Sequence, residues 1–227
     1  MSTATSATVD QPAHAASSGQ RARTRRLFEW GGFAAGAILI AFGIAAIVLG
    51  FNGRSTVNDN LKQERIVGSP DMTPAAIAKE AQQAGLKNVA LPTESVAGQT
   101  IDTGSEARTF AEYMRVHALE ATGGFTYAQM GQFQAKPGTP KSQLEPGGGT
   151  SNEKFAATDP KTGDPAANGE RTVWINETAL STALNTSYMA DQISLFGIVV
   201  GIAMVLSGVG FIVLAFVVLR RNRAAAA

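Results

Sequence analysis

Two long apolar runs constrain this chain more than any other feature of its sequence. The first covers residues 27–51 and holds one charge, Glu29, at its edge, whereas the second covers residues 193–219 and holds none. A membrane core needs about 20 apolar residues of helix. A buried helix of that length in a soluble protein would normally show a polar face. The sequence therefore predicts an all-α membrane protein with two transmembrane helices.

Arginines flank both runs on the same predicted side of the membrane. Four precede the first run and three follow the second, namely Arg21, Arg23, Arg25, Arg26, Arg220, Arg221 and Arg223. Because basic flanks remain in the cytoplasm, we expect a cell-membrane protein with both termini inside and residues 52–192 outside. The first run is interpreted as an uncleaved anchor, since it is too long for a signal peptide and no small-residue cleavage motif follows it.

Composition predicts the order of the remaining segments. Residues 1–26 are expected to form a disordered cytoplasmic tail, and residues 220–227 a short one. Between the spans we expect a small, mainly helical extracytoplasmic domain that contains a long irregular loop or disordered insert at 135–170. That segment has five prolines and six glycines, and Leu144 and Phe155 are its only large apolar residues, so it can bury little.

Two helices of the predicted outer domain carry start and stop signals. Thr73 and a following proline begin the first helix, and Gly85 ends it. The second begins with a capping box of Thr103 and Glu106 and ends at Gly123. A third helix is predicted from residue 171 into the second span, and its two large aromatic residues are expected to be anchors at the membrane surface: Trp174 and Tyr188.

His117 is one of two histidines in the chain and falls in the last two turns of the second predicted helix. A protonated imidazole there interacts favourably with the helix dipole. Two interpretations stay open, a structural residue and a ligand-binding or proton-sensing residue.

Glycines in both apolar runs are spaced by four or seven residues, which keeps them on one face of each helix. Small residues let helices approach closely in lipid. In an antiparallel hairpin, the predicted level pairs are Gly36 with Gly208, Gly43 with Gly201, and Gly50 with Gly197. We therefore expect two antiparallel transmembrane helices in a left-handed hairpin, with a homodimer face or chance spacing as the alternatives.

The layout resembles that of short two-span membrane proteins of high-GC actinobacteria. The shared elements are the arginine-flanked first span, the segment HALEATGGFTYAQM at 117–130, and NETAL at 176–180 followed by SLF. The resemblance covers both spans and the segments before them, but not the Pro/Gly-rich loop, and it implies an uncharacterised membrane protein without assigned site residues. Such proteins are sometimes labelled aromatic ring-opening dioxygenases. A ring-cleaving iron site typically uses two histidines and a carboxylate, and His14 and His117 are predicted on opposite sides of the membrane.

Charge and motif content exclude several functional classes. The net charge of +1 gives no footprint for nucleic acid, and the absence of cysteine excludes thiolate sites. Without a nucleophile motif, a phosphate-binding loop or metal-ligand spacing, we expect no enzyme, no cofactor and no metal. We expect a structural or accessory subunit in the lipid bilayer that contacts another membrane or envelope protein through its outer helices. A homo-oligomer is left open, and a membrane signal relay or sensor with an extracytoplasmic input domain is the alternative.

Overall fold

In a computed structural model, the chain is mostly helical, and two of its helices are long and apolar enough to cross a membrane. The structure describes the backbone of residues 15–224 and the side chains of residues 30–217. Four α-helices occur in this part: α1 Ala15–Glu64, α2 Pro74–Gln83, α3 Gly104–Ala121 and α4 Gly169–Ala224. The two apolar stretches lie in α1 and α4.

Helix α1 begins before the first apolar run. The disordered tail was predicted over 1–26, whereas the helix already includes residues 15–26. Alanine and arginine are frequent in that stretch and favour helix, and the apolar run continues the same helix. The prediction for 15–26 is therefore corrected. Residues 1–14, with His14, lie outside the described residues, as do residues 225–227 and the side chains of the seven flanking arginines.

The chain divides into two compact units. Among the described residues, the first comprises 15–51 and 196–224, and the second comprises Asn52–Leu195. The second unit has an apolar core of its own, to which α2, α3 and the adjoining parts of α1 and α4 contribute. Its fully buried side chains include Ile77 of α2 with Tyr113 and Val116 of α3. Burial of an isoleucine or valine side chain contributes about 1.5–3 kcal/mol.

The helix signals in the sequence are confirmed. The Thr73 side chain accepts a backbone N–H from the first turn of α2, and Thr103 and Glu106 form the capping box of α3. Gly85 and Gly123 follow the two helices with φ angles of 68° and 63°. These left-handed conformations favour glycine because it has no Cβ.

The Pro/Gly-rich segment is held by backbone hydrogen bonds instead of an apolar core. Strands β1 Phe133–Gln134 and β2 Gly149–Thr150 pair antiparallel. Four short 3-10 turns lie before, between and after them: Tyr127–Gln129, Lys141–Gln143, Pro146–Gly148 and Glu153–Phe155.

Side-chain and bridging contacts close this loop. The buried Asn168 amide donates to the Gly131 carbonyl at 2.9 Å, and isolated bridges join Ala135 to Ala156 and Thr158 to Pro165. Of the two predicted alternatives, the structure describes a hydrogen-bonded irregular loop. Apolar composition alone could not distinguish the two, since the stabilising groups are peptide groups.

Trp174 is not an exposed anchor. Only 7% of it is exposed, and it packs against Ala118, Leu119 and Met130 within the second unit. The Arg115 guanidinium carbon lies 5.0 Å from the centroid of its ring. The predicted membrane-anchor role of Trp174 is therefore wrong, because neighbouring apolar side chains cover the ring.

Candidate functional site

Acidic and imidazole side chains from three segments meet beside α2 and α3. Asp71 precedes α2, Glu80 lies on α2 and His117 lies on α3. Each offers one atom of a metal-ligand type, and these three atoms all lie within 4.8 Å of one another. Glu120 follows His117 by three residues, so both lie on one face of α3. We call these four residues the carboxylate–histidine cluster.

His117 and Glu80 form the central contact of the cluster. The His117 Nδ1 atom lies 3.0 Å from Glu80 Oε1, and each side chain is 24% exposed. The ring donates to the carboxylate when Nδ1 carries a proton. The contact joins α2 to α3 across 37 residues of sequence.

Glu120 and Asp71 have pKa values shifted in opposite directions. A hydrogen bond with the Glu80 carboxyl group raises the pKa of Glu120, and partial burial raises it further, although His117 lowers it. The Ser69 hydroxyl donates to Asp71 and lowers the pKa of that carboxyl group. Asp71 therefore stays ionised to lower pH than an ordinary aspartate, whereas Glu120 holds its proton to higher pH than an ordinary glutamate.

The cluster has an excess of acidic groups. In the part of the chain with described side chains, the only ion pair of its carboxylates is the one between Glu80 and His117. Two ionised carboxylates repel each other, and neither can donate a hydrogen bond. A proton on Glu120 or a nearby positive charge would relieve the repulsion between Glu80 and Glu120.

The second unit also exposes a helix face without charge, on α4 between Thr172 and Met189. Every exposed residue there is Thr, Val, Ile, Asn, Ala or Met. Among them, Val173, Ile175 and Met189 are 41%, 51% and 57% exposed. We call this surface the uncharged α4 face. Depletion of charge is typical of the centre of protein interfaces.

A groove of about 450 Å³ borders this face between α3 and α4. Its α3 wall includes Glu112 and Arg115, and its α4 wall is mainly hydroxyl and amide side chains with Glu177 and Met189. Glu177 is 4% exposed and accepts a hydrogen bond from Ser181 at 2.6 Å. The groove thus combines polar lining with the edge of the uncharged α4 face.

The predicted packing glycines lie in the first unit, and the structure brings two of the three pairs together. A Cβ built on Gly43 would lie 2.6 Å from the Gly201 backbone oxygen, and one on Gly36 would lie 2.6 Å from that of Gly208. The third pairing is not formed in the same way. Gly50 is buried, but a Cβ on Gly197 would meet the Ala46 backbone oxygen, at 3.7 Å, and not Gly50.

Sequence reasoning singled out only His117 of the carboxylate–histidine cluster and left its role open. The helical period places His117 near the end of α3, and Glu120 follows it by three residues on the same face. No local pattern relates either residue to Glu80 or Asp71, because that approach depends on how α2 packs against α3. Comparison with known proteins found no matching family model, no matching curated protein and no matching solved structure.

Proposed function

We propose that the chain is a two-span protein of the cell membrane, with both termini cytoplasmic and residues 52–192 forming an extracytoplasmic helical domain. It acts as an accessory or structural subunit, and this outer domain contacts another membrane or envelope protein. The observation that carries the proposal is the uncharged α4 face, which has no exposed charge over about five helical turns. We also assign the chain to the two-span actinobacterial group that it resembles.

Neighbouring helices support the choice of α4 as the contact surface. Helix α2 exposes Lys79, and α3 exposes Arg108 and Arg115, as is usual for a solvated helix. The two acidic residues of α4 between Thr172 and Gln192 are instead buried, Glu177 at 4% and Asp191 at 2% exposure. A partner helix could therefore lie along α4 without removing charge from water, which is the costly step in forming an interface.

The two spans are proposed to form an antiparallel hairpin in the bilayer. The order of their contacts supports this arrangement. Gly36 lies against Gly208. Gly43, which comes later in α1, lies against Gly201, which comes earlier in α4. In lipid, packing of small residues drives helix association because the hydrophobic effect between helices is absent.

A membrane relay or sensor is the second candidate function. The observation that favours it is the carboxylate–histidine cluster, which joins three segments of the outer domain and contains groups that gain or lose protons. An input at this cluster would act on the contact between α2 and α3.

Introducing a charge on the uncharged α4 face tests the proposed contact. Thr182→Arg places a long cation on the exposed face, and Gln82→Arg places the same cation on exposed α2. Each variant is purified from native membranes in mild detergent, and the associated proteins are quantified by mass spectrometry. We expect one protein to co-purify in stoichiometric amount with Gln82→Arg and to be lost or strongly reduced with Thr182→Arg. Equal recovery of all associated proteins with both variants would refute α4 as the contact surface.

A further inference from the structure

We propose that Asp71, Glu80 and His117 bind a divalent transition-metal ion of the Zn²⁺ type, with Glu120 as an adjoining carboxylate. This inference concerns the carboxylate–histidine cluster alone and does not depend on the proposed contact through α4. It would add a metal site to a chain whose sequence predicts none. The basis is the chemistry, the geometry and the charge of the four side chains.

The donor set suits a borderline metal ion. Imidazole nitrogen and carboxylate oxygen are both common ligands of Zn²⁺. A set made only of oxygen donors would favour Ca²⁺ or Mg²⁺, whereas one imidazole shifts the preference towards first-row transition metals. The chain has no cysteine, so a thiolate site for softer ions is excluded. Three protein ligands leave further coordination positions for water or for Glu120.

The distances allow one ion to reach all three ligands. Bonds from Zn²⁺ to nitrogen or oxygen are about 2.0–2.2 Å, so two donors on the same ion lie roughly 3–4 Å apart. The His117 and Glu80 atoms are 3.0 Å apart, and the whole set lies within 4.8 Å. Small side-chain rotations would bring the more widely separated ligand atoms within this distance. They are available because Asp71 is exposed and the other two ligands are half-buried, and the same exposure lets an ion enter from solvent.

Charge and supporting contacts favour a cation over a neutral ligand. Three carboxylates surround one imidazole, and no Lys or Arg forms an ion pair with them in the described part of the chain. A divalent ion would neutralise this excess. The Ser69 hydroxyl already donates to Asp71, which is the kind of outer hydrogen bond that orients a ligating carboxylate.

Binding would hold three separate segments together. The ligands come from the turn before α2, from α2 itself and from the end of α3. An ion that binds only the folded arrangement stabilises it by mass action. The structure therefore assigns the site a clamping effect on the packing of α2 against α3.

Zinc titration of the full chain tests the proposal. The protein is purified in detergent through a histidine-free tag, stripped with chelator, and titrated with ZnCl₂ by calorimetry while thermal unfolding is followed by circular dichroism. We expect one bound Zn²⁺ per chain and a rise in Tm that chelator reverses. We expect Ca²⁺ to bind at least about tenfold more weakly, because it gains little from imidazole.

Three variants locate the bound ion. Both His117→Gln and Asp71→Asn should weaken Zn²⁺ binding by about tenfold or more, because loss of a ligand should cost at least as much as loss of an outer hydrogen-bond partner. Glu112→Gln removes a carboxylate from the same helix α3 outside the cluster, and it should bind as the unmodified chain does. If His117→Gln does not fold, the exposed Asp71→Asn decides alone. Absence of Zn²⁺ binding, or binding that Asp71→Asn leaves unchanged, would overturn the proposal.

Discussion

The Arg54 Nε atom donates to the Asp191 Oδ1 atom at 2.9 Å and so joins α1 to α4 within the second unit. The two side chains differ in exposure, since 40% of the Arg54 side chain but only 4% of the Asp191 side chain is accessible. The carboxylate has therefore left water and depends on the guanidinium as its charged partner. While such a pair is intact, its net effect on the free energy of unfolding is small. Removal of one member leaves a buried unpaired charge and is strongly destabilising.

Replacement of Arg54 should destabilise the protein. Arg54→Met leaves the Asp191 carboxylate buried without its cation, and we expect a loss of about 1–3 kcal/mol in the free energy of unfolding. Partial exposure of Arg54 keeps the value below that of a fully buried pair. The measurement is denaturant unfolding in detergent followed by circular dichroism.

Arg108→Met is the matched control for this change. Arg108 pairs with Glu112 at 3.2 Å, and both side chains are well exposed, at 51% and 42%. An exposed helix pair contributes little to stability, so Arg108→Met should lower the free energy of unfolding less than Arg54→Met does. Equal losses in the two variants would mean that burial of Asp191 does not determine the strength of the Arg54 pair.

Gly201→Leu should loosen the proposed hairpin. A Cβ on Gly201 would lie 2.6 Å from the Gly43 backbone oxygen, so the two helices must separate, at about 1–3 kcal/mol for overpacking. The chain contains no cysteine, so a cysteine pair introduced at Gly32 and Ala215 reports on the contact, because a Cβ on Gly32 would lie 3.1 Å from the Ala215 Cβ. We expect the yield of crosslink within one chain to fall when Gly201→Leu is added.

Gly210→Leu supplies the control for steric bulk in the same helix. In the part of the chain that the structure describes, no atom outside the adjoining turns of the helix lies within 4 Å of a Cβ built on Gly210, so the substitution should leave the crosslink yield unchanged. If the cysteines crosslink only between chains, the glycine stripes serve oligomerisation and the intramolecular hairpin is wrong.

The raised pKa of Glu120 predicts a specific pH dependence of stability. In the folded state, the hydrogen bond with Glu80 raises the pKa of Glu120 above its ordinary value of 4.5. The folded state then binds more protons than the unfolded state, so this contribution is complete below pH 4.5 and is lost as pH rises through the raised pKa. Thermal unfolding across pH 4.5–7 should show a flatter profile in Glu120→Gln than in the unmodified chain.

Asp71→Asn should change the pH dependence of stability at more acidic pH than Glu120→Gln does. The Ser69 hydroxyl lowers the pKa of Asp71 below its ordinary value of 3.8. Its contribution is therefore present above pH 3.8 and is lost as pH falls through the lowered pKa. An effect of Asp71→Asn confined to pH 4.5–7 would contradict this assignment.

Local signals made much of the helical structure predictable. The Thr73 cap, the Thr103–Glu106 capping box and the glycines after each helix act within four residues, so the sequence shows them directly. The same holds for the two apolar stretches, because length and composition decide whether a helix can cross a membrane.

Long-range packing explains what the sequence did not predict. Trp174 has the composition signal of a membrane anchor, but Ala118, Leu119 and Met130 cover it after folding. The carboxylate–histidine cluster likewise forms only when α2 packs against α3 and brings Glu80 to His117. Neither result follows from spacing along one segment.

Reporter fusions test the proposed membrane orientation. The arginines before the first span and after the second are predicted to remain in the cytoplasm, because moving such charges across the membrane is unfavourable. A reporter active only outside the cytoplasm should therefore work after Asn60 and fail after Ala227. A fusion after Gln143, in the irregular loop, is the matched control and should agree with the one after Asn60. If the Asn60 and Ala227 fusions report the same compartment, the chain does not cross the membrane twice.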